Sequence, residues 1–460
     1  MDAIVAFTYA LLFFIPAVLG LIVWAAYSTL APSRYTGPPA GSGKGQVSAH
    51  VLVLGDIGRS PRMTYHALSI SKHGGKVNLI GYLESSPHPD VLNNPNITIS
   101  PIPAPPARPS FLPFILFAPV KVIYQVYHVT WLLAYGLPAA QWVLVQNPPS
   151  IPTLAVASLV CRLRRSRLMI DWHNYGWTIL AGTRGANHPL VHVSKLYECL
   201  FGRLGDFHLT VTHAMARQLR SPPYKITREM LAVHDRPAAI FRPLSSSTSR
   251  TEVLARVIPE SEQALIPSLL EGTTRLIVSS TSWTPDEDFS ILLDALTRYA
   301  ASATTPILAI ITGKGPQKQM YLDRIAELRA AGRLPNVRIA TAFLPFSDYA
   351  ALLACADLGV CLHMSSSGVD LPMKVVDMFG AGLPVAAYSA YESFGELVRE
   401  GENGRGFETA GELAVILERL LSIEGADELS RLRKGAVKEG SRRWDEEWDA
   451  KVGVIMGLVS

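Results

Sequence analysis

Short apolar runs alternate with amphipathic stretches along almost the whole chain, and the rhythm occurs twice. HVLVLG at residues 50–55 reads as a strand, and TYHALSISKHG, starting at Thr64, repeats its apolar positions at helical spacing. VNLIGY, NITISPIP and QWVLVQN are further strands, with a helix predicted to begin in the prolines after Asn147. RLMIDW is a strand followed by HNYGWTIL, read as a loop, and DFHLTVTHAMARQL is strand, turn and helix. The pattern restarts beyond the serine-rich residues 245–249. RLIVSSTSWTPDEDFSILLDAL gives strand, loop, helix; PILAIITGKGP gives strand and glycine loop; VRIATAFLPFSDYAALLACADLGVCLH gives strand, helix, strand. SRRWDEEWDAKVGVIMGLV closes the chain as a helix with Trp444 and Trp448 on one stripe. Strands separated by crossover helices imply parallel sheets, so the expectation is an α/β chain with two Rossmann-like domains. A length of 460 residues suits two cores.

Two stretches break the rhythm. Residues 3–27 hold no charged residue, enough for a helix of roughly 37 Å, with Pro16 inside and Trp24 and Tyr27 near the end. A cleaved leader is the rival reading, but a basic segment before the run is missing. Arg34, Lys44, Arg59 and Arg62 follow, so charge asymmetry predicts a single-pass signal-anchor at 1–30 with the body in the cytosol. The lone glycosylation sequon, Asn96-Ile97-Thr98, is then expected to stay unmodified. Residues 32–46, rich in Pro, Gly and Ser, read as a tether. Residues 111–135, FLPFILFAPVKVIYQVYHVTWLLAY, form the second exception. They read either as a buried helix or as a monotopic helix touching the bilayer; Pro113, Pro119 and Lys121 argue against a second span.

Net charge +4 and pI near 8.8 are not gathered into a basic tract, so no nucleic-acid partner is expected. Cys161, Cys199, Cys355 and Cys361 have no paired spacing and read as buried thiols.

Candidate chemistry gathers in three places. Residues 365–389, SSSGVDLPMKVVDMFGAGLPVAAYS, place a Ser/Gly loop before a helix, an arrangement that binds an anion together with sugar hydroxyls. Ser367, Gly368, Asp370, Lys374 and Asp377 are its donor-binding candidates. Ser282, Asp288 and the turn Gly313-Lys314-Gly315 join them from neighbouring loops. Third, GDIGRSPR follows the first strand. Gly55 and Gly58 permit close approach to backbone, and Arg59 and Arg62 are forks for a diphosphate. G-x-G-x-x-G is absent, which disfavours an oxidoreductase. No compact ligand cluster indicates a tightly bound metal, so the metal expectation is none.

The phrases VLGDIGRSPRMTYHALS, LVQNPPSIPTLAVA, IDWHNYGWTI, TSWTPDEDFSILLDAL, ITGKGP and SSGVDLPMKVVDMFGAGLPVAA together resemble the eukaryotic chitobiosyldiphosphodolichol β-mannosyltransferases, which have the GT-B fold. That resemblance implies two Rossmann-like domains facing a cleft. It also implies β-1,4 transfer of mannose from GDP-mannose to dolichyl-diphosphate di-N-acetylchitobiose, at the cytosolic face of the endoplasmic reticulum membrane. Other glycosyltransferases of the same pathway are candidate partners. An α-linked donor and a β-linked product require a single displacement, and hence a base for the acceptor hydroxyl. Asp56 and His173 are both candidates. Retaining relatives carry two glutamates eight apart; aligned on Asp377, the first position holds Val369, which fits inversion. The loop 281–288 carries acids where such relatives place Arg and Lys. The diphosphate then falls to Lys374, Lys314, helix-end amides, or a divalent ion (Mg or Mn, as an activator) on acids such as Asp288. Expected boundaries are 48–244 for the acceptor domain, 245–272 for a linker, 273–430 for the nucleotide-sugar domain, and 431–460 for a helix returning to the first domain. Two alternatives stay open: a GT-B enzyme with another polyprenyl acceptor, and a catalytically silent scaffold for glycosyltransferases.

Overall fold

The structure, a computed structural model, describes residues 31–37, 47–111, 113–245, 249–284 and 287–459. The expected anchor at 1–30, Lys44 with most of the tether, and Pro285 and Asp286 lie outside the described residues. Among the described residues, no helix is long and apolar enough to cross a membrane. The chain divides into two compact units, Met1–Ile170 with Leu204–Phe207, and Asp171–Arg203 with His208–Ser460.

In the first unit, β1 (Ser48–Asp56) pairs in parallel with β2 (Lys76–Tyr82) and with β4 (Trp142–Asn147), and β2 pairs with β3 (Ile97–Pro101). These strands are apolar on both faces because helices cover both sides of a parallel sheet. Val51, Leu52, Leu79, Ile80, Leu144 and Val145 are accordingly fully buried. The sheet they belong to has seven strands in the order β3-β2-β1-β4-β5-β6-β7, where β5 is Arg167–Trp172, β6 is Phe207–Thr210 and β7 is Glu229–Ala232, so its later strands include residues of the second unit. The aromatic stretch is a helix over Phe114–Trp131, ended by a π turn at Leu132–Gly136. Buried Arg164 anchors that end, donating from Nη1 to the carbonyls of Leu133 and Leu137 and from Nε to Ser33 O.

The second unit carries a six-stranded parallel sheet in the order β10-β9-β8-β11-β12-β13. Its strands are β8 (Arg275–Ser280), β9 (Ile307–Thr312), β10 (Val337–Ala342), β11 (Leu358–Cys361), β12 (Val385–Tyr388) and β13 (Gly404–Phe407). The helix Phe289–Ser302 packs its Phe289, Leu292, Leu293 and Leu296 into the core against β8 and β9. The helix Met373–Gly380 and its Gly-Ala-Gly-Leu-Pro turn deliver Lys374 and Asp377 beside this sheet. All four cysteines are buried and free of disulfides.

Three segments differ from the sequence expectation. HNYGWTIL is not all loop: a helix spans Gly176–Arg184. Its first N–H, from Gly176, donates to Glu198 Oε2 at 2.9 Å, a cap supplied from another helix and therefore silent in the local sequence. That other helix, Pro189–Gly202, has no counterpart in the sequence reading. Residues 245–272 contain the helices Arg250–Val257 and Ile266–Glu271. At the C-terminus, Trp444 and Trp448 are both buried. Glu447 between them accepts from Arg236, as does Glu439 on the preceding helix, and Lys451 donates to Ala232 O.

Candidate functional site

The sequence candidates fall into separate sets. Gly55, Asp56, Gly58, Arg59 and Arg62 lie in the first unit, at the end of β1 and the start of the next helix. Asp56 is heavily engaged there. Its Oδ1 accepts the N–H groups of Gly58 (3.3 Å), Glu84 (3.2 Å) and Ser85 (3.2 Å), and its Oδ2 accepts the Ser85 hydroxyl. The Ser85 hydroxyl above all holds the carboxyl below its ordinary pKa. A carboxylate so stabilised is a weak base, and its geometry is that of a clamp on residues 84–86. Gly58 belongs to the same clamp: a Cβ there would lie 2.7 Å from Ser86 O. Arg59 is 81% exposed and stands 3.5 Å from Asp56. Arg62, by contrast, is 4% exposed, in the first turn of the helix Pro61–Lys72. Gly55 continues β1.

The other candidates are all in the second unit. His173 follows β5, and its Nε2 lies 2.8 Å from Oδ2 of Asp171, a fully buried carboxylate at the strand end. An ionised carboxylate only accepts, so Nε2 carries the proton and Nδ1 presents the lone pair. The His173 side chain is 23% exposed, enough to meet a ligand. Next along the chain, Asn174 donates from Nδ2 to Asp370 Oδ2 and to Ser366 Oγ, each at 3.2 Å. The same Asp370 oxygen lies 3.2 Å from His363 Nε2, while buried Oδ1 has no hydrogen-bond partner. The loop bearing His173 is therefore fastened to the Ser/Gly loop at 365–370. Within that loop, the Ser365 hydroxyl accepts the N–H of Gly368, which has φ of 76°. Ser367 Oγ accepts the N–H of Val369.

Lys374 forms an ion pair with Glu287. Glu287 is 3% exposed and also accepts the N–H (2.6 Å) and hydroxyl (2.9 Å) of Ser282. Burial pushes the Glu287 carboxyl up, but the Lys374 charge and these hydrogen bonds bring it below its ordinary value. Ser282 is thus part of the Lys374 mount. Asp288 is a helix cap, accepting from Ser290 N at 3.0 Å. Gly313 and Gly315 let their turn sit against the 281–282 backbone, since a Cβ on either would collide with the carbonyl of Thr281 or Ser282. Lys314 lies over the Phe343 ring, 3.6 Å from its centroid. Asp377 is governed first by burial and then by the charge of Asp235, which together raise its pKa to about 7.

Among the described residues, one group has metal-ligand spacing: His213, His234 and Glu396. Glu396 already accepts the N–H groups of His213 (2.6 Å) and Ala214 (2.7 Å) at a helix start. His234 lies between Glu396 (3.1 Å) and Glu447 (3.0 Å); burial opposes its charge, but these carboxylates raise its pKa.

Glu287, Asn174, His363 and Glu198 were not among the sequence candidates. Lys374 and Glu287 are 87 positions apart, and Asn174 and Asp370 are 196 apart, so their pairing leaves no local pattern.

Residues 273–422 match the family model described as glycosyl transferases group 1. The chain is 51% identical to the chitobiosyldiphosphodolichol beta-mannosyltransferase of Arthroderma benhamiae, over 82% of this chain and 86% of that one. The mouse protein of the same name is 41% identical, covering 87% of each chain, and the human one is 39% identical over 90% and 94%. Among solved structures, a sucrose-phosphate synthase from Thermosynechococcus elongatus superimposes with TM-score 0.62 at 14% identity, covering 90% of this chain and 97% of that one. A glycosyltransferase from Rickettsia africae gives TM-score 0.61 at 14% identity, over 90% and 98%. These likenesses support the GT-B fold with its two parallel Rossmann-like sheets.

Proposed function

The chain belongs to the chitobiosyldiphosphodolichol beta-mannosyltransferase family, and we propose that it transfers mannose from GDP-mannose to dolichyl-diphosphate chitobiose with inversion. The His173–Asp171 pair carries the mechanistic part of this reading, on a loop that Asn174 ties to Asp370. His173 Nδ1 takes the proton from the acceptor 4-hydroxyl as that oxygen attacks C1 of the mannosyl group. The C1–O bond to the diphosphate breaks on the opposite face, and GDP leaves with its charge met by Lys374. Val369, fully buried and aliphatic where retaining relatives carry a glutamate, offers no carboxylate to that face. Asp377 receives the ribose hydroxyls. A divalent ion (Mg or Mn), were one held by acids such as Asp288, would offset part of the diphosphate's negative charge; chelator titration of turnover reads its share. The silent-scaffold alternative is not favoured, because the relatives compared above are named as mannosyltransferases. Incubation with GDP-mannose and phytanyl-diphosphate chitobiose tests the reading. A β-1,4-linked trisaccharide is expected, and an α-linked product or none overturns it.

Donor binding should depend on pH through Asp377. Hydroxyls that donate to this group favour its carboxylate form, so binding lowers a pKa of about 7 and releases a proton. GDP-mannose affinity should therefore rise with pH through about 7 and level off above it. Calorimetry between about pH 6 and about pH 8 reads this rise, and Asp377→Asn should flatten it.

The lipid acceptor calls for a membrane-facing surface, and we place it on the helix Phe114–Trp131. Leu116, Val120, Ile123, Tyr127 and Trp131 recur at spacings of three and four and are all exposed, Ile123 by 68%. Phe117, Gln125 and Val129 are its buried side. Such a stripe fits the acyl boundary of a bilayer. In a chain lacking residues 1–35, Ile123→Glu with Tyr127→Glu should reduce sedimentation with anionic vesicles by about tenfold. Equal sedimentation of the variant would take this face off the membrane.

A further inference from the structure

Beyond the base, the same loop builds a cavity that the transfer step leaves unassigned. Tyr175 and Trp177 hold their rings parallel, 8° apart in plane and 6.4 Å between centroids. The Trp177 indole is fixed from behind. Its Nε1–H donates to the Tyr224 hydroxyl at 2.9 Å, and that hydroxyl donates to buried Glu198 at 2.6 Å. The cavity beside the two rings measures about 360 Å³ and is completed by Thr178, Gln218, Ser366 and Ser367. Its polar lining consists of hydroxyls and one carboxamide, with no ionisable acid or base among the lining side chains except the Tyr175 phenol, which burial holds neutral.

This chemistry selects its ligand. A diphosphate needs cations, which the lining lacks. A long lipid chain has no use for four hydroxyl and amide groups. A sugar ring offers both an apolar face for the half-buried Trp177 ring, which the buried Tyr175 parallels, and equatorial groups for hydroxyls and carboxamide. We infer that this cavity is the acceptor-sugar subsite, holding an N-acetylglucosamine ring of chitobiose next to His173. The inference rests on the function proposed above. Tyr175 and Trp177 lie two and four residues beyond the base, and Asn174, the residue after it, donates to Ser366 of the cavity lining. The donor mannose stays with its diphosphate at Lys374.

Gly182 supplies the test. It lies in the helix Gly176–Arg184 and lines the cavity, and a Cβ built on it meets no atom within 4 Å. Gly182→Phe thus fills the cavity without disturbing the fold, and it removes a helix-weakening glycine. In the full chain, this variant should raise the acceptor KM by about tenfold or more with the donor KM within about twofold. Its unfolding temperature should not fall. Trp177→Ala should act in the same direction, and Trp177→Phe, which keeps a ring, should recover part of the loss. A rise in donor KM alone, or no change in either, overturns the inference. Saturation-transfer NMR with free di-N-acetylchitobiose separates it from the functional reading. Loss of acetyl-methyl saturation in Gly182→Phe supports the subsite even if the wild type transfers no mannose. Undiminished saturation overturns the subsite even if it does.

Discussion

His173→Ala should lower kcat by about 10²–10⁴, with donor affinity nearly unchanged. Of the two histidines paired with a buried acid near the proposed reaction centre, His173 has the shorter contact, 2.8 Å to Asp171 against 3.2 Å from His363 to Asp370, and its acid is not shared with Asn174. Asp171→Asn should be milder in binding but costly in turnover, because the amide no longer selects the tautomer that leaves Nδ1 unprotonated. Asp56 makes the contrast. Its carboxylate accepts from Gly58, Glu84 and Ser85, and its pKa is already low, so Asp56→Asn should first loosen residues 84–86. Thermal unfolding of Asp56→Asn should come earlier, while turnover of the folded fraction stays within about tenfold of wild type. Pre-steady-state single turnover with saturating donor distinguishes the two residues. A normal rate in His173→Ala, with a collapsed rate in folded Asp56→Asn, would return the base to Asp56.

How these two acids and one histidine sort out shows what sequence can carry. Asp56 ends a strand and His173 directly follows one, at the C-terminal edge where parallel α/β sheets place their chemistry, and that much follows from period and composition. Their roles depend on partners that sequence does not order. Ser85 reaches Asp56 from the loop after β2, which only β1–β2 pairing brings near. Asp171 serves His173 because residues two apart at a strand end project to the same side, which brings the imidazole within 2.8 Å of the buried carboxylate. That relation was visible in Asp171-Trp172-His173 once the end of β5 was known. The parallel sheets and most strands were legible because each apolar run is buried on both faces. The helix Gly176–Arg184 was not, since its opening N–H is capped by Glu198 from a helix that local signals did not reveal. The burial of Arg62 was not legible for a related reason: a charged residue in a first helical turn gives no sign of which way it faces.

Lys374→Ala should weaken GDP-mannose binding by about 1.5–3 kcal/mol, on the order of 10–150-fold, through loss of a charged hydrogen bond to the diphosphate. An ammonium group has three N–H donors; one is committed to Glu287, leaving two for phosphate oxygens. The substitution should also destabilise the fold, because Glu287 is 3% exposed and would lose its counter-charge. A fully buried pair broken this way costs roughly 3–5 kcal/mol; Lys374 is 29% exposed, so about 1–3 kcal/mol is expected. Reduced affinity in a destabilised variant is ambiguous by itself, and Glu287→Gln resolves it. In Lys374→Ala/Glu287→Gln no unpaired carboxylate remains, and the amide can still accept the Ser282 N–H. The double variant should recover most of the stability and none of the donor affinity. Chemical denaturation reads the first effect and calorimetry the second. Recovery of both together would mean that Lys374 only mounts the loop, and would move the diphosphate contact to Lys314 or a divalent ion.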